Sequence, residues 1–324
     1  MTQVTNTVRF VLDGQIVEAQ GVRRTTTLLD YLREQLGRTG TKEGCAEGDC
    51  GACVVMVGEL NAQGNGVNYI PTNACIQLLP AMDGKSIKTV ESLKRADGTL
   101  HPVQQKMIEC HGSQCGFCTP GIIMSVVNLV QTNKQPKRQD VTDALSGNLC
   151  RCTGYKPIID ASMQACEQTD ALAIDDAADI PLLKTIARAS EPTVTLDGDI
   201  LVQPVVRTKK GNEFVAPATL AEVSDYLLKH PEATLLAGST EIGLQVNKQF
   251  ARPDRIVYLG NVAELKRIDS AHGVWRIGAA VPLSQVETLV ADAYPDFAEV
   301  LRRFGSTPIR STATLAGNIA NGSP

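Results

Sequence analysis

Apolar and polar positions change period several times along the first 170 residues. Residues 7–12 (TVRFVL) alternate as a strand, Asp13-Gly14 reads as a turn, and 15–18 (QIVE) as the return strand of a hairpin. Residues 27–36 (TLLDYLREQL) shift to helical spacing through Leu28, Leu29, Leu32 and Leu36, with Gly37 at the C-cap position. A Gly-rich stretch then enters the apolar strand CVVMVG at 53–58. Helical patterns return in HPVQQKMIEC at 101–110, with Pro102 in the first turn and apolar Val103, Met107 and Ile108. In GIIMSVVNLVQ at 121–131, Ile123, Val126, Val127 and Val130 share a side, behind Thr119 as N-cap and Pro120 at N1. A further helix, IIDASMQACEQ, follows Pro157.

The segment QTDALAIDDAADIP (168–181) is acidic, Ala-rich and weakly periodic, which marks a boundary. Beyond it, EFVAPATLAEVSDYLLKHP predicts a short strand and a helix capped by Thr219, with Val223, Tyr226 and Leu227 turned inward. ATLLAGSTEIGLQVN predicts a buried strand running into Gly238-Ser239-Thr240, a turn able to present successive backbone N–H groups to an anion. No G-x-G-x-x-G follows a strand, so a Rossmann dinucleotide site is not expected.

Length and charge narrow the function. The 324 residues have room for two or three domains. Net charge is −4 with no long basic run, so neither nucleic acid nor an anionic membrane is an expected partner. No secretory signal and no apolar run of membrane-spanning length is seen, so a cytoplasmic location is expected. All ten cysteines lie before residue 167. In a reduced compartment they point to metal chemistry in the first half rather than to disulfides.

Cys45, Cys50 and Cys53, with Cys75 further on, form C-x4-C-x2-C-x21-C, the plant-type 2Fe-2S spacing. Four soft thiolates suit bridged irons, and the glycines at 44, 48 and 51 let a tight loop turn its N–H groups towards sulfur. A structural zinc site also takes four cysteines, but normally as two C-x2-C-like pairs. Cys110, Cys115 and Cys118 repeat the C-x4-C-x2-C spacing, while GNLCRC adds Cys150 and Cys152, so five cysteines compete for four places. Two sets are open: 110, 115 and 118 with one later cysteine, or 115 and 118 with 150 and 152. Helix capping favours the second, because each pair then sits before a helix N-terminus, where free N–H groups and the dipole stabilise thiolate. Two helix pairs with matching ends predict a four-helix bundle.

EGDCGAC, GSQCGFCTPG and GNLCRCTGY, in that order, resemble the iron–sulfur part of the molybdenum hydroxylase family, in its bacterial xanthine dehydrogenase branch. The resemblance runs from about residue 7 to the C-terminus. It implies an α+β multidomain chain: a β-grasp ferredoxin-like domain (1–92), a helical second 2Fe-2S domain (93–168), a linker (169–192) and the N-terminal part of an FAD-binding domain (193–324). It implies Cys115, Cys118, Cys150 and Cys152 as the second ligand set, and Gln114 as a contact to molybdopterin on a partner subunit. LLAGSTEIGLQVN and STATLAGNIANGSP are similar to the family's two FAD loops. Carried over, Leu235, Leu236, Ala237, Gly238, Ser239, Thr240, Glu241 and Ile242 would line the adenosine diphosphate part, with Thr314, Gly317 and Asn318 opposite and Phe304 against the isoalloxazine. The resemblance ends inside the FAD domain, so further FAD contacts would come from outside residues 1–324, for instance from a separate chain. Tight FAD binding by these residues alone is not expected.

The implied function is electron relay in a xanthine dehydrogenase. A molybdopterin-binding large subunit would oxidise hypoxanthine and xanthine to urate, and electrons would pass through two 2Fe-2S clusters to FAD and then NAD. A dimer of heteromers is implied. No catalytic residue is expected on this chain, since His101, His111, His230 and His272 form no ligand or triad pattern. The rival readings are the iron–sulfur and flavin subunit of another molybdenum hydroxylase, acting on aldehydes or N-heterocycles, and a zinc-stabilised, non-catalytic assembly module.

Overall fold

A computed structural model describes residues 7–95, 97–168, 174–187, 194–197 and 212–323. The hairpin predicted at the N-terminus is β1 (Thr7–Leu12) and β2 (Gln15–Gln20), paired antiparallel. The helix that follows is not the regular one that the leucine spacing predicts. A single α turn, α1 (Leu28–Asp30), is capped by the Thr27 hydroxyl, which accepts from the Asp30 N–H at 3.1 Å. It then widens into a π-helix over Tyr31–Gln35, closed by Leu36 N–H to Tyr31 C=O at 3.1 Å. The wider turn leaves Leu28, Leu29 and Leu32 buried. Below it, the Arg33 guanidinium donates to the carbonyls of Thr39 and Thr41 and braces the chain on its way to the first cysteine loop.

Strands β3 (Val54–Leu60), β4 (Val67–Asn73) and β5 (Ser86–Lys88) complete a five-stranded sheet in the order β2-β1-β5-β3-β4. β5 runs parallel to β1 and antiparallel to β3, as in a β-grasp. The continuous apolar run in β3 has a simple cause. Val55 and Val57 face the core under α1, while Val54 and Met56 face a second core made by helices. Both faces of this strand are covered, so its sequence does not alternate.

The second core belongs to four helices: α2 (Pro102–Glu109), α3 (Thr119–Thr132), α4 (Arg138–Ala144) and α5 (Lys156–Cys166). Val103 and Met107 of α2 are buried as predicted, but Ile108 is 60% exposed. Helix α3 is not one-sided. Every residue from Gly121 to Val130 is buried, because the helix lies between the sheet and the other helices. Its N-cap is Cys118 rather than Thr119, whose hydroxyl donates to Ser113 Oγ at 2.8 Å.

The segment predicted as linker contains a helix, α6 (Asp179–Ile186), seated on the β-grasp sheet through Leu183, Ile186 and Val11. Its first residue, Asp179, is fully buried. It accepts from Lys88 Nζ at 2.8 Å, from the Ser86 hydroxyl and from Tyr69 at 3.1 Å. The remaining predicted linker residues, 169–173 and 188–192, lie outside the described residues.

A second sheet follows: β6 (Val194–Asp197), β7 (Glu213–Ala216), α7 (Leu220–Lys229), β8 (Thr234–Leu236), α8 (Ile242–Lys248) and β9 (Arg255–Tyr258). The strand order is β6-β7-β9-β8, with β7 and β8 parallel to β9. Thr219 caps α7 as predicted, in a capping box with Glu222. A hairpin of β10 (Ile268–Ala271) and β11 (Val274–Ile277) leads to α9 (Leu283–Val290), α10 (Pro295–Arg303), α11 (Thr307–Thr312) and α12 (Leu315–Asn321). Phe214, Leu236, Val246 and Ile256 join the same continuous core as Leu28, Leu79 and Ile87, so this sheet packs directly on the β-grasp.

Candidate metal centres and flavin loops

The loop between α1 and β3 is shaped so that sulfur points inward. At Gly51, φ is +70° and a Cβ would lie 2.3 Å from the Gly147 carbonyl, so the loop requires glycine there on both counts. Cys53 and Cys75 approach to 3.3 Å between sulfurs, and the Cys45 side chain is hydrogen-bonded to Cys50 and Cys75. The four side chains are thus linked in a row, Cys50–Cys45–Cys75–Cys53. Among the described residues, no three His, Cys, Asp or Glu side chains gather around the position of a single metal ion. The backbone N–H groups of Glu47 and Cys50 both donate to Cys45 Sγ at 3.4 Å.

Hydrogen bonds from Cys50 and Cys75, helped by those two N–H groups, hold the Cys45 thiol far below the usual thiol range. Its partners are pushed up instead: both share protons with Cys45, and burial adds to the effect. All four donors are soft sulfur, which fits iron–sulfur or zinc and excludes the hard cations.

The second set forms where the bundle's helix ends meet. Cys118 is the N-cap of α3, and Cys150 and Cys152 precede α5. Their side chains cross-pair, Cys118 with Cys150 and Cys115 with Cys152. Burial pushes the Cys118 thiol up to about 12, while the Phe117 N–H lowers that of exposed Cys115. Burial of Cys150 is outweighed by hydrogen bonds, chiefly with Thr153, and its thiol is lowered. Cys110 stands at the C-cap of α2, packed partly against the bundle core. Cys166 lies within α5, where burial raises its thiol to about 11. Gln114 is exposed beside Cys115.

The two cysteine sets are joined by backbone. Leu149 N–H donates to the Cys50 carbonyl at 3.0 Å, and the Asn148 amide donates to the Gly51 carbonyl at 3.2 Å. Helix α3 begins flush on the same loop, where a Cβ at Gly121 would lie 1.9 Å from the Gly51 carbonyl. Asn148 and Leu149 carry no sequence signal beyond their place before CRC. Tyr155, whose hydroxyl accepts from the Cys150 N–H at 2.9 Å, is equally silent.

The two predicted flavin loops meet each other and also the first cysteine loop. Gly238 lies so close to α11 that a Cβ would stand 1.9 Å from the Thr312 carbonyl. Ala237, Gly238 and Thr314 line a cavity of about 320 Å³, shared with Gln77, Lys85, Tyr258 and Lys266. That volume is near the lower bound for small-molecule pockets, roughly 300 Å³, so it takes only part of a dinucleotide.

The other predicted contacts do not line that cavity. Leu235 is 47% exposed rather than buried, and Leu236 and Ile242 pack in the first core. The Ser239 hydroxyl donates to the Ile76 carbonyl at 2.6 Å, and Glu241 accepts from Gln245 at 3.0 Å. Thr240 is half-buried at the turn. Thr314 caps α12 by accepting from Gly317 N–H, and Asn318 donates back to the Thr314 carbonyl. Phe304 is half-buried against the apolar cluster that includes Val281, Val286 and Leu301. Gly238→Ala is expected to force the two loops apart and to lower flavin content per chain at least severalfold, measured as released FAD after denaturation, with iron content unchanged.

Residues 89–163 match a family model described as a 2Fe-2S binding domain. Residues 10–76 match a 2Fe-2S iron-sulfur cluster binding domain, and 209–324 an FAD binding domain in molybdopterin dehydrogenase. Human aldehyde oxidase is 31% identical over 97% of this chain and 27% of its own length. Xanthine dehydrogenase of Drosophila subobscura is 32% identical over 99% of this chain and 27% of its own. The chain thus spans about a quarter of the length of these curated relatives. Among solved structures, quinoline 2-oxidoreductase from Pseudomonas putida 86 is 34% identical over 50% of this chain and 94% of the matched chain, with a TM-score of 0.43. The aldehyde oxidoreductase from Desulfovibrio gigas is 36% identical over 53% of this chain and 18% of its own, with a TM-score of 0.44.

Proposed function

Since the chain belongs to the molybdenum hydroxylase family, as its electron-transfer iron–sulfur and FAD-binding module, we propose that it serves a xanthine dehydrogenase. In this reading Cys45, Cys50, Cys53 and Cys75 hold the first 2Fe-2S cluster, and Cys115, Cys118, Cys150 and Cys152 hold the second. The ferredoxin-like domain spans residues 1–92, the helical domain 93–168 and the flavin domain 193–324. Bound at these places, the clusters supply one-electron exchange and FAD supplies the junction between one- and two-electron chemistry.

The observation that carries the reading is serial contact. The exposed pair Cys115 and Cys152 opens the second set to a partner, with Gln114 beside it towards that subunit's molybdopterin. Leu149 N–H to Cys50 C=O links the second set to the first, and Ser239 and Gly238 touch Ile76 and Gln77, directly after Cys75. The chain's own work is to hold sulfur, tune it with N–H groups, and keep the carriers packed in sequence. The molybdopterin-binding large subunit, oxidation of hypoxanthine and xanthine to urate, NAD as final acceptor, a dimer of heteromers and a cytoplasmic location complete the proposal. Aldehydes or N-heterocycles are the second reading, supported by relatives of those names at similar identity.

An anaerobic titration of the complex with its natural partner tests substrate and relay together. Xanthine alone is expected to bleach the visible absorbance and to raise two distinct 2Fe-2S signals in low-temperature EPR. Bleaching by an aldehyde or N-heterocycle but not by xanthine selects the second reading.

A further inference from the structure

We infer that Asn247, on the flavin-side helix α8, is a positioning residue for the first cluster; this rests on Cys45, Cys50, Cys53 and Cys75 being that cluster's ligands. The Asn247 side-chain Nδ2 donates to two carbonyls at once: Ala46 at 2.9 Å and Cys75 at 2.7 Å. Ala46 follows the first cysteine of the loop and is held at φ +56°, a left-handed conformation that non-glycine residues adopt only when their surroundings impose it. Cys75 is the one member of the set that arrives from a different segment. A single amide therefore ties the loop carrying three sulfurs to the segment carrying the fourth.

The surrounding contacts come from the same side. Gly243, one turn earlier on α8, packs so closely that a Cβ would lie 2.1 Å from the Ile76 carbonyl, and the Ser239 hydroxyl donates to that same carbonyl. Lys248 lies 3.6 Å from Glu47, whose N–H donates to Cys45 Sγ. The flavin half thus fixes the backbone on both sides of the cluster site, and Asn247 is the member whose hydrogen bonds reach both segments. Its two N–H donors offset the negative ends of two carbonyls lining the cluster loop. Removing them leaves a more negative surrounding, which disfavours adding an electron to the cluster.

The test compares wild type, Asn247→Ala and Asn247→Asp in the complete partner-bound complex, with iron analysis, EPR of both clusters and potentiometric titration. Asp keeps the size of Asn while replacing the donor by a carboxylate. The expected result is a change in first-cluster g-values in both variants and a lowered first-cluster midpoint, further in Asp than in Ala. The second-cluster signal stays as in wild type. Loss of the first cluster's iron alone, with the second retained, is the same result in stronger form. Wild-type g-values and midpoints in both variants overturn the proposal while leaving the ligand assignment intact, as do equal changes at both clusters. A wild-type complex without a first-cluster signal removes the ligand assignment and the proposal with it.

Discussion

Cys150→Ala is expected to remove two iron atoms per chain and one of two EPR signals, whereas Cys110→Ala leaves both unchanged. Cys110 shares the C-x4-C-x2-C spacing that makes 45, 50 and 53 a cluster loop, so spacing alone gives it equal standing. The structure places it differently. It ends α2 and packs partly against the bundle core, while Cys150 is buried, paired with Cys118 and bonded to Thr153. In the proposed ligand set, removing one of four thiolates leaves an iron short of a sulfur ligand, and metal-site stability follows ligand count and type. In the proposed order of carriers, electron delivery from the partner's site to the first cluster should then fall to background. Iron analysis with EPR of the reduced complex checks both variants, and iron loss from Cys110→Ala would shift the assignment to the competing set.

Asp179→Ala is expected to cost about 3–5 kcal/mol, the range for breaking a buried ion pair by removing one partner. Asp179 is 0% exposed and its partner Lys88 is 5% exposed, so the mutation leaves an ammonium in the protein interior. Ser86 and Tyr69 lose an acceptor at the same time. The double variant Lys88→Met with Asp179→Leu should recover most of the loss, because a buried pair gains little over apolar groups of similar volume. Urea unfolding followed by far-ultraviolet circular dichroism, at equal cluster loading, measures both. An Asp179→Ala variant as stable as wild type would mean that α6 does not hold the sheet.

Much of this was legible in the sequence. The Asp13-Gly14 turn, the Thr219 cap and the apolar run in β3 are local features, and each is enough to set its own element. Capping favours the set 115, 118, 150 and 152, whose side chains cross-pair in the structure, but it misplaces the cap itself: Cys118, not Thr119, ends the loop before α3. What stayed hidden depends on contact between distant segments. The π-helix after α1 packs Leu32 and Leu36 against a core built from distant strands, which periodicity in one window does not contain. Helix α6 buries only two apolar residues, Leu183 and Ile186, too few to stand out from an acidic, Ala-rich stretch. Asn148, Leu149 and Asn247 act through backbone carbonyls, a role open to many residue types and marked by no motif.

The flavin loops were found by resemblance rather than by pattern. Only Ala237, Gly238 and Thr314 of the predicted contacts line the cavity. Ser239 and Glu241 are taken up by protein partners, and Phe304 packs against the apolar cluster around α9.

The most direct measurement is low-temperature EPR of the fully reduced, partner-bound protein, combined with iron and zinc analysis. Two different 2Fe-2S signals of equal spin and four irons per chain are expected. Line splitting is expected when both clusters are reduced, because Leu149 and Cys50 bring the two sets into backbone contact. Zinc in place of iron, a single signal, or two signals with no mutual splitting would overturn the assignment of the two cysteine sets to neighbouring clusters.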